Sequence, residues 1–475
     1  MKFWQLCFLV ALTLFLSGTT TVPAAAQPSA GVLPEADTYL KTEMRNRGIP
    51  GLAVAVVRDG RIVATQTYGL ADLELNVPVT LDTVFPIASL DKQLTSSGIM
   101  LLVQDGKVHL DDEIGQYFVD PPLTWKGIRV AHLLSHASGL PDVVNATVEG
   151  RAFTDYTTGQ LLDNVKKQNL LFPPGTGYEY SDAGLFLAQL ITEKASGVPW
   201  RQFVSERVFA PAGMTSVVYM DPAAIIKNRV SGYELTRGGT IVSNRRNAVD
   251  FGPLYNDVGA TVIDFAHWAA ALETNRVLPQ AARDLMWTPK SRANDAFYWR
   301  DYGFGFAMDH YRGVRVVLHS GFTGVGIVIL PEKHLSVVVF TNLDNRFGTD
   351  AQGLALGVVG TYVPEVSLLA MTTKTDPDPS RTERVRGALA RLVRGEPDYS
   401  QYVRSIFPSV QGSVAAFSTR GPHIGEFQSL VFLGEEEQEG EKLLYYRADF
   451  SKGRLFVRVS FDSTGKISCF QMTHV

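Results

Sequence analysis

The stretch FPIASLDKQLTSSGIMLLVQDG, residues 85–106, decides how the rest of the chain is interpreted. Residues at intervals of three and four form one helical stripe: Leu90, Leu94, Ser97 and Leu101. This spacing predicts a helix with one inward face, and Gly106 is a residue at which such a helix can end. Ser89 falls in the first turn, and Lys92, three residues later, lies on the same side of the predicted helix.

A serine beside a lysine at the start of a helix is suited to nucleophilic chemistry. Unpaired backbone N–H groups of the first turn stabilise an alkoxide or an oxyanion. The ammonium group of Lys92 lowers the free energy needed to remove the proton of the Ser89 hydroxyl. The Ser-x-x-Lys pattern is short, so the alternative on this stretch alone is a capping serine and a solvated lysine.

The composition describes a globular protein with a large core. The chain has 475 residues, which is long for one domain and favours two. Hydrophobic residues make up 45% of the chain and charged residues 19%. The net charge of −4 and the lack of a basic run argue against nucleic acid as a partner.

The first 26 residues have the layout of a secretory signal peptide. Lys2 precedes an apolar run over residues 8–16, and three alanines end at Ala26. The run is too short for a stable membrane span, so we expect export to the periplasm or the medium of a bacterial cell. Cleavage would remove Cys7 and leave Cys469 alone, which predicts a fold without an internal disulfide.

Strand patterns occur at two places far apart in the chain. The predicted strands are residues 52–57, 61–68, 314–319, 324–330 and 335–341. Asp59-Gly60 is a strong hairpin signal between the first two, and helices are predicted over Pro34–Arg47 and residues 350–362. The fold class is therefore α/β, an antiparallel sheet flanked by helices, with an all-helical lobe inserted between its strands. Ser89 begins this insertion, so we expect its turn in the cleft between sheet and lobe.

Two histidines in the insertion have a spacing that occurs in zinc sites. In RVAHLLSHASGLPD, residues 129–142, His132 and His136 are four residues apart. No glutamate stands between them in the HExxH pattern, and no third ligand is evident. We therefore expect a helix that ends at Gly139 and no metal site.

A second segment of the insertion, FPPGTGYEYSDAGLFLAQLITEKASG, spans residues 172–197. Its prolines and glycines predict a loop that ends at Tyr180, Ser181 and Asp182, just before a helix. Polar residues at such a junction are held rigidly and face open space. A buried structural tyrosine is the alternative on this stretch alone.

The remainder of the chain is predicted to form a second, smaller domain. We assign residues 27–370 to the main domain, residues 371–380 to a linker and residues 381–475 to an α+β domain. A basic helix over Thr382–Arg394 precedes four predicted strands. The acidic residues 435–441 are predicted to form a solvated hairpin loop. We find no catalytic constellation in this domain, and its sequence does not indicate its role.

Three motifs occur in the order seen in active-site-serine enzymes that recognise penicillin: Ser89-x-x-Lys92, Tyr180-Ser181-Asp182 and His319-Ser320-Gly321. With HLLSHASGLP, PPGTGYEYSDAG, PAGM and YGFGF around them, residues 33–363 resemble the class C β-lactamase-related serine hydrolases. That family includes class C β-lactamases, D-Ala-D-Ala carboxypeptidases, D-aminopeptidases and carboxylesterases. The resemblance does not extend to the C-terminal domain.

The resemblance implies acyl transfer through a covalent serine ester. It makes Ser89 the nucleophile, Lys92 its charge partner and Tyr180 the base, with the backbone N–H groups of Ser89 and Phe322 as the oxyanion hole. The strand that ends at Ser320 and Gly321 would offer main-chain hydrogen bonds to the substrate. No cofactor is implied, because the GFTGVG run at residues 321–326 lacks the order of a nucleotide loop.

Two residues depart from the pattern of many relatives. Asp182 replaces an asparagine, and a carboxylate can only accept hydrogen bonds, so we expect it to pair with Lys92. His319 replaces a lysine and is mostly uncharged at neutral pH. The pairing of Asp182 with Lys92 leaves an amide-bearing acyl chain without its hydrogen-bond donor, which predicts weak β-lactam turnover. Both departures leave Tyr180 more basic, which predicts an activity optimum above neutrality.

The predicted function is therefore an exported serine hydrolase that acts on small acyl esters or amides. A D-Ala-D-Ala carboxypeptidase or D-aminopeptidase and a weak β-lactamase are the alternatives of the same class. A non-catalytic protein that binds peptidoglycan or penicillin is the alternative of another class. The partner is a small molecule or a peptide, and the sequence does not indicate an oligomeric state.

Overall fold

The computed structural model describes residues 30–142, 157–221, 224–236, 238–244, 258–292, 299–344, 350–438 and 440–474. The predicted signal peptide, residues 1–26, lies outside these ranges. The described helices are α1 (Pro34–Arg47), α2 (Asp91–Gln104), α3 (Val130–Leu134), α4 (Thr158–Lys166), α5 (Asp182–Ser196), α6 (Trp200–Val204), α7 (Ala210–Ala212), α8 (Val262–Glu273), α9 (Gln280–Met286), α10 (Ala351–Tyr362), α11 (Pro379–Arg394) and α12 (Phe407–Ile424).

The described strands are β1 (Gly51–Arg58), β2 (Arg61–Asp72), β3 (Val77–Pro78), β4 (Phe85–Pro86), β5 (Val218–Tyr219), β6 (Tyr233–Leu235), β7 (Ile241–Ser243), β8 (Val258–Ala260), β9 (Ser291–Arg292), β10 (Asp301–Tyr302), β11 (Ala307–Tyr311), β12 (Val314–Gly321), β13 (Val325–Leu330), β14 (Leu335–Thr341), β15 (Phe427–Gln438), β16 (Glu441–Phe450), β17 (Arg454–Phe461) and β18 (Ile467–Thr473).

The largest sheet has nine strands in the order β3-β2-β1-β14-β13-β12-β11-β10-β9. The antiparallel pairs in this sheet include β1–β2, β1–β14, β10–β11, β11–β12, β12–β13 and β13–β14. Asp59 and Gly60, at φ of 50° and 67°, make the predicted two-residue turn between β1 and β2. The prediction that the strands come from both ends of the main domain is confirmed. The inserted lobe is mostly helical and also carries the short strands β4 to β8.

Helices cover both faces of this sheet, because successive residues of a strand point to opposite sides. Ala53 and Ala55 of β1 share a buried cluster with α2 and α8, which includes Phe265. Val54 of β1 shares a second buried cluster with α1 and α10, which includes Leu354. Complete burial of each large aliphatic side chain contributes about 1.5–3 kcal/mol, so these two layers hold the main domain together.

The helix that follows the nucleophile candidate is more deeply buried than its sequence indicates. All residues of α2 from Asp91 to Leu102 are buried, so it has no solvated face. Its polar side chains find partners in the lobe. Gln189 Nε2 donates to Asp91 Oδ2 at 3.1 Å, and Trp268 Nε1 donates to Gln93 Oε1 at 2.9 Å. Satisfied buried polar groups of this kind fix the rotation of a helix.

The predicted helix with Ser89 in its first turn is present: a 3₁₀ turn over Ala88–Leu90 leads into α2 at Asp91, and Phe85–Pro86 before it pairs with β8. Two other sequence predictions about secondary structure are wrong. Helix α3 ends at Leu134 and not at Gly139, because His136 adopts a left-handed conformation with φ of 57°. The three glutamates 435–437 lie in β15 and Glu441 lies in β16, and not in a loop.

The C-terminal strands form a four-stranded meander in the order β15-β16-β17-β18. Tyr446 of β16 faces a buried cluster shared with α11 and α12. Its neighbour Tyr445 lies on the opposite side of the sheet, in the buried cluster that also contains α10 and Tyr311 of β11. Arg458 of β17 forms a buried ion pair with Asp309 of β11. The meander is therefore docked on the main domain by apolar and ionic contacts.

None of the helices in the described ranges is both long and apolar enough to cross a membrane.

Candidate active site

Ser89 lies on a sharp turn between β4 and α2. The residue before it, Ala88, has a φ of 45°, a conformation that costs free energy in an L-residue and that clusters at functional sites. The turn is held against the end of β12: a Cβ added to Gly321 would stand 2.6 Å from the carbonyl oxygen of Ile87. Thr323 also donates to the carbonyl oxygen of Pro86 at 2.6 Å. The first and third sequence motifs are therefore brought together.

Lys92 connects the serine to the second motif. Its Nζ donates to Ser89 Oγ at 3.0 Å and lies 2.6 Å from Asp182 Oδ1, the pairing expected from the sequence. The same ammonium group stands 4.9 Å from the centre of the Tyr180 ring. Burial opposes the charge of Lys92, but Asp182 and the neighbouring tyrosines outweigh it and raise the pKa. Lys92 is therefore a buried, charged ammonium group.

Tyr180 is a weak acid in this environment. Burial raises the pKa of its phenol to about 12, the charge of Lys92 acts against this increase, and the carboxylate of Asp182 adds to it. Hydrogen bonds of the phenol with Ser89 and Lys92 lower the pKa in turn. The phenol oxygen is thus placed to exchange a proton with the Ser89 hydroxyl, and it is mostly protonated at neutral pH.

His136 holds the segment that carries Tyr180. Its carbonyl oxygen accepts the N–H of Glu179 at 2.9 Å, and its Nδ1 accepts the N–H of Ser181 at 3.2 Å. The imidazole ring packs against the ring of Tyr180 with 4.4 Å between centres and an angle of 34° between the ring planes. Burial, followed by the charge of Lys92, lowers the pKa of His136 well below its ordinary value. His136 is therefore a neutral positioning residue for the second motif.

His319 is neutral, and its tautomer follows from its partners. Nδ1 lies 2.9 Å from the carbonyl oxygen of Ser320, which can only accept, so Nδ1 carries the proton. Nε2 is then an acceptor, and the hydroxyl of Tyr302 donates to it at 2.8 Å. Burial, reinforced by the charge of Lys92, lowers the pKa of His319 to about 3. His319 therefore adds no positive charge to the site.

Aromatic rings surround Tyr180 and His319. The ring of Trp299 lies 5.4 Å from His319 and 6.2 Å from Tyr180. Tyr302 is fully buried, and Trp299 Nε1 donates to the hydroxyl of Tyr178 at 3.4 Å. We call the rings of Trp299, Tyr302 and Tyr178 the aromatic wall. The aromatic wall therefore packs directly against both His319 and Tyr180.

The structure brings together the predicted site residues Ser89, Lys92, Tyr180 and Asp182. His319 and Ser320 stand at the end of β12, next to this group, and Phe322 follows in the turn that Thr323 ties to β4.

Sequence reasoning gave no role to His136 or to the aromatic wall. His136, Tyr178 and Tyr302 lie in the resemblance motifs HLLSHASGLP, PPGTGYEYSDAG and YGFGF, which do not show what these residues contact. Trp299 lies in none of the motifs.

The two histidines considered for zinc are used otherwise. His132 Nδ1 accepts the backbone N–H of Arg129 at 3.2 Å, and His136 Nδ1 accepts that of Ser181. Among the described residues, Asp59, Glu273 and His334 form a group whose ligating atoms lie within 4.8 Å of one another. His334 contacts Glu273 at 2.9 Å, at the opposite end of β13 from the Ser89 turn. Glu273 at the end of α8 is hydrogen-bonded to His334 and to the backbone N–H of Gly60, and these contacts between two hairpin turns and a helix end account for the group.

The fold and the site define a serine hydrolase of the type found in β-lactamases and penicillin-binding proteins. Residues 36–358, most of the chain, match the Beta-lactamase family, and the chain belongs to that family. This match agrees with the resemblance drawn from the three motifs.

Relatives and solved structures agree with the family. A putative D-alanyl-D-alanine carboxypeptidase of Escherichia coli O157:H7 is 26% identical over 383 residues, or 70% of this chain and 87% of that protein. A D-aminopeptidase of Gluconobacter oxydans is 25% identical over 421 residues, or 86% of this chain and 76% of that protein. The octameric penicillin-binding protein homologue from Pyrococcus abyssi has a TM-score of 0.63 at 18% identity. It covers 90% of this chain and 96% of its own, which shows a shared fold.

Proposed function

We propose that this protein hydrolyses small acyl esters or amides through a covalent ester on Ser89. The observation that carries the proposal is the 3.0 Å contact between Lys92 Nζ and Ser89 Oγ, with the phenol of Tyr180 hydrogen-bonded to both. A hydroxyl between an ammonium group and a proton acceptor is an activated nucleophile. Membership of the family supports the reaction class. The contacts in the site support the roles proposed for Ser89, Lys92 and Tyr180.

Acylation begins when Ser89 Oγ attacks the carbonyl carbon of the substrate and its proton passes to the phenolate of Tyr180. The carbonyl oxygen becomes an oxyanion, which the backbone N–H groups of Ser89 and Phe322 stabilise. Collapse of this tetrahedral species breaks the bond to the leaving group. The leaving alkoxide or amine takes the proton back from Tyr180, and the acyl group remains on Ser89.

Deacylation repeats these steps with water. Tyr180 takes a proton from the water molecule as its oxygen attacks the acyl carbon. The second tetrahedral species releases Ser89 Oγ, which recovers the proton from Tyr180, and the carboxylic acid product leaves. Lys92 stays protonated through both halves, because Asp182 balances its charge in the buried site.

The charge of the site favours uncharged substrates. A peptide that ends in a free carboxylate needs a cation to bind it, and Lys92 is already paired with Asp182 at 2.6 Å. His319 is neutral, and the aromatic wall around it is apolar. Small esters and amides therefore fit the described part of the cleft better than D-Ala-D-Ala peptides. D-amino peptides are the second candidate substrate class, because the E. coli and G. oxydans relatives are named as a putative D-alanyl-D-alanine carboxypeptidase and a D-aminopeptidase.

Export and the division into domains belong to the same proposal. The layout of residues 1–26 supports a cleaved signal peptide and a periplasmic or secreted enzyme. We also propose a hydrolase domain over residues 27–370, a linker over 371–380 and an accessory domain over 381–475. Mass measurement of the protein recovered from the producing cells tests the first point, because cleavage near Ala26 removes a defined mass.

The experiment that tests the function is a substrate comparison. We expect the mature protein to hydrolyse p-nitrophenyl acetate and butyrate faster than nitrocefin or a diacetyl-Lys-D-Ala-D-Ala peptide. Preferential cleavage of the peptide would show that D-amino peptides, and not esters, are the preferred substrate class. A folded protein that turns over none of them, and that retains a fluorescent penicillin without release, would contradict hydrolysis and indicate a binding protein.

The pH profile should rise above neutrality. Only the phenolate of Tyr180 can take the serine proton, and its fraction grows about tenfold per pH unit below a pKa of about 12. We expect kcat/KM for p-nitrophenyl butyrate to increase from pH 6 to pH 9 after subtraction of spontaneous hydrolysis. A rate that peaks below pH 7 would contradict the role of Tyr180 as the base.

Asp182→Asn should move this profile to lower pH. The carboxylate of Asp182 raises the pKa of Tyr180, so its removal lowers that pKa and populates the phenolate earlier. The new amide can also donate to a substrate carbonyl, which should increase nitrocefin hydrolysis. We expect both changes, measured as pH–rate profiles and nitrocefin turnover of the two proteins. An unchanged pH midpoint together with unchanged nitrocefin turnover would show that Asp182 does not set these properties.

A further inference from the structure

We propose that Glu441 of the C-terminal domain is a positioning residue for the active site, which it reaches through Arg300 and the aromatic wall. The inference rests on the proposed function for its kinetic test, but the contacts behind it are independent of the substrate. The accessory domain then has a role, because its Glu441 holds the aromatic wall in place from the outer side of the cleft.

Glu441 joins the two domains at the edge of the large sheet. Its Oε2 accepts from Arg300 Nη2 at 2.5 Å and from Arg292 Nη2 at 3.3 Å. Its Oε1 accepts from the hydroxyl of Ser460, which fixes the carboxylate on its own sheet. Arg300 is 3% exposed, so its ion pair with Glu441 is shielded from solvent. Hydrogen bonds between charged groups in such surroundings are short, strong and directional.

Arg300 lies between two members of the aromatic wall. It directly follows Trp299, and Tyr302 comes two residues later. Trp299 packs on His319 and Tyr180, and Tyr302 donates to His319 Nε2 at 2.8 Å. A displacement of the Arg300 backbone would therefore move both rings relative to the base.

The sheet alone holds this segment weakly. β9 and β10 have two residues each and form the edge of the nine-stranded sheet, where few ladder hydrogen bonds are made. A cavity of about 310 Å³ lies beside them, lined by Arg292, Arg300, Glu441 and residues of β18. Trp299 and Tyr302 are packed in the core on the inner side of this segment. The cavity leaves open space on the outer side of Arg292 and Arg300, so the ion pair with Glu441 restrains the segment from that side.

The docking of the two domains does not depend on Glu441. Arg458 and Asp309 form a separate ion pair in which both side chains are almost fully buried. Leu433, Leu443 and Tyr445 join the apolar core of the main domain. Replacement of Glu441 should therefore loosen the wall without separating the domains.

The kinetic test is Glu441→Gln, with Glu435→Gln as its matched control. Glu435 belongs to the same hairpin and pairs with Lys442 at 2.9 Å on the surface. We expect E441Q to raise KM for p-nitrophenyl butyrate about tenfold, more than for acetate, with a smaller change in kcat. E435Q should match the wild type. Equal losses of kcat for both esters with a lower unfolding temperature would indicate a merely structural role and overturn the proposal.

Arg300→Gln supplies the double-mutant cycle. If Glu441 acts through Arg300, the double variant should be no worse than R300Q alone. Effects that multiply would overturn the proposed route from Glu441 to the wall.

A second measurement needs no substrate, so it separates this proposal from the proposed function. Trp299 is 5% exposed, and its fluorescence is obtained by subtracting the emission of Trp299→Phe from that of the wild type at each acrylamide concentration. We expect the same difference, taken in the E441Q background, to show stronger quenching. Unchanged quenching would overturn the positioning role whether or not the protein hydrolyses esters.

Discussion

Ser89→Ala should remove ester hydrolysis, with a decrease in kcat of about 10⁴-fold or more. No other hydroxyl can take over, because the attacking oxygen must lie between Lys92 Nζ and the phenol of Tyr180. The comparison is kcat for p-nitrophenyl butyrate in the two proteins. Alanine removes one hydroxyl at a buried turn and should leave the unfolding temperature close to that of the wild type.

The result is interpretable only if S89A is folded, which circular dichroism and thermal unfolding establish. Hydrolysis by folded S89A at more than about one hundredth of the wild-type rate would contradict a covalent mechanism on Ser89.

Tyr180→Phe should lower kcat by about 10²–10⁴-fold, the range expected for loss of a general acid–base group. Phenylalanine retains the ring contact with His136 at 4.4 Å and the contact with the Lys92 ammonium at 4.9 Å. The loss would therefore report the phenol oxygen and not the packing of the ring. The remaining activity should also lose its increase between pH 6 and pH 9, because the titrating group has been removed.

Tyr117→Phe is the matched control, since that phenol donates to Asp112 Oδ2 at 2.5 Å in the lobe. It should hydrolyse p-nitrophenyl butyrate like the wild type. If Y180F retained the wild-type rate and its increase between pH 6 and pH 9, a group other than Tyr180 would be the base.

The sequence predicted those parts of the site that depend on local spacing. Ser89 and Lys92 are three residues apart, so any helical turn brings their side chains together. Tyr180 and Asp182 flank the start of α5, where loop and helix signals coincide. The β-rich runs at residues 52–57 and 335–341 likewise predicted strands, and these pair with each other in the structure as β1 and β14.

Long-range convergence was beyond such reasoning. His136 serves Ser181 across 45 residues, and Glu441 reaches Arg300 across 141 residues. Neither contact is indicated by a periodic pattern in the sequence, because each depends on how separate elements pack. The turn at Ala88 was also missed, since an alanine has no local propensity for a positive φ.

The acidic strand end illustrates the same limit. Charged residues 435–441 looked like a solvated loop because a charge run usually is one. In the structure Glu441 finds two arginines of the other domain, so a charge predicted to face water makes an interdomain contact.

The central claim is that Ser89 is the nucleophile, and the most direct test is labelling with diisopropyl fluorophosphate, which phosphorylates an activated serine hydroxyl, followed by peptide mass mapping. We predict one adduct per chain, on the peptide that contains Ser89, formed in proportion to the loss of ester hydrolysis and absent from S89A. An adduct on another residue, or full hydrolysis after Ser89 has been labelled, would contradict the account.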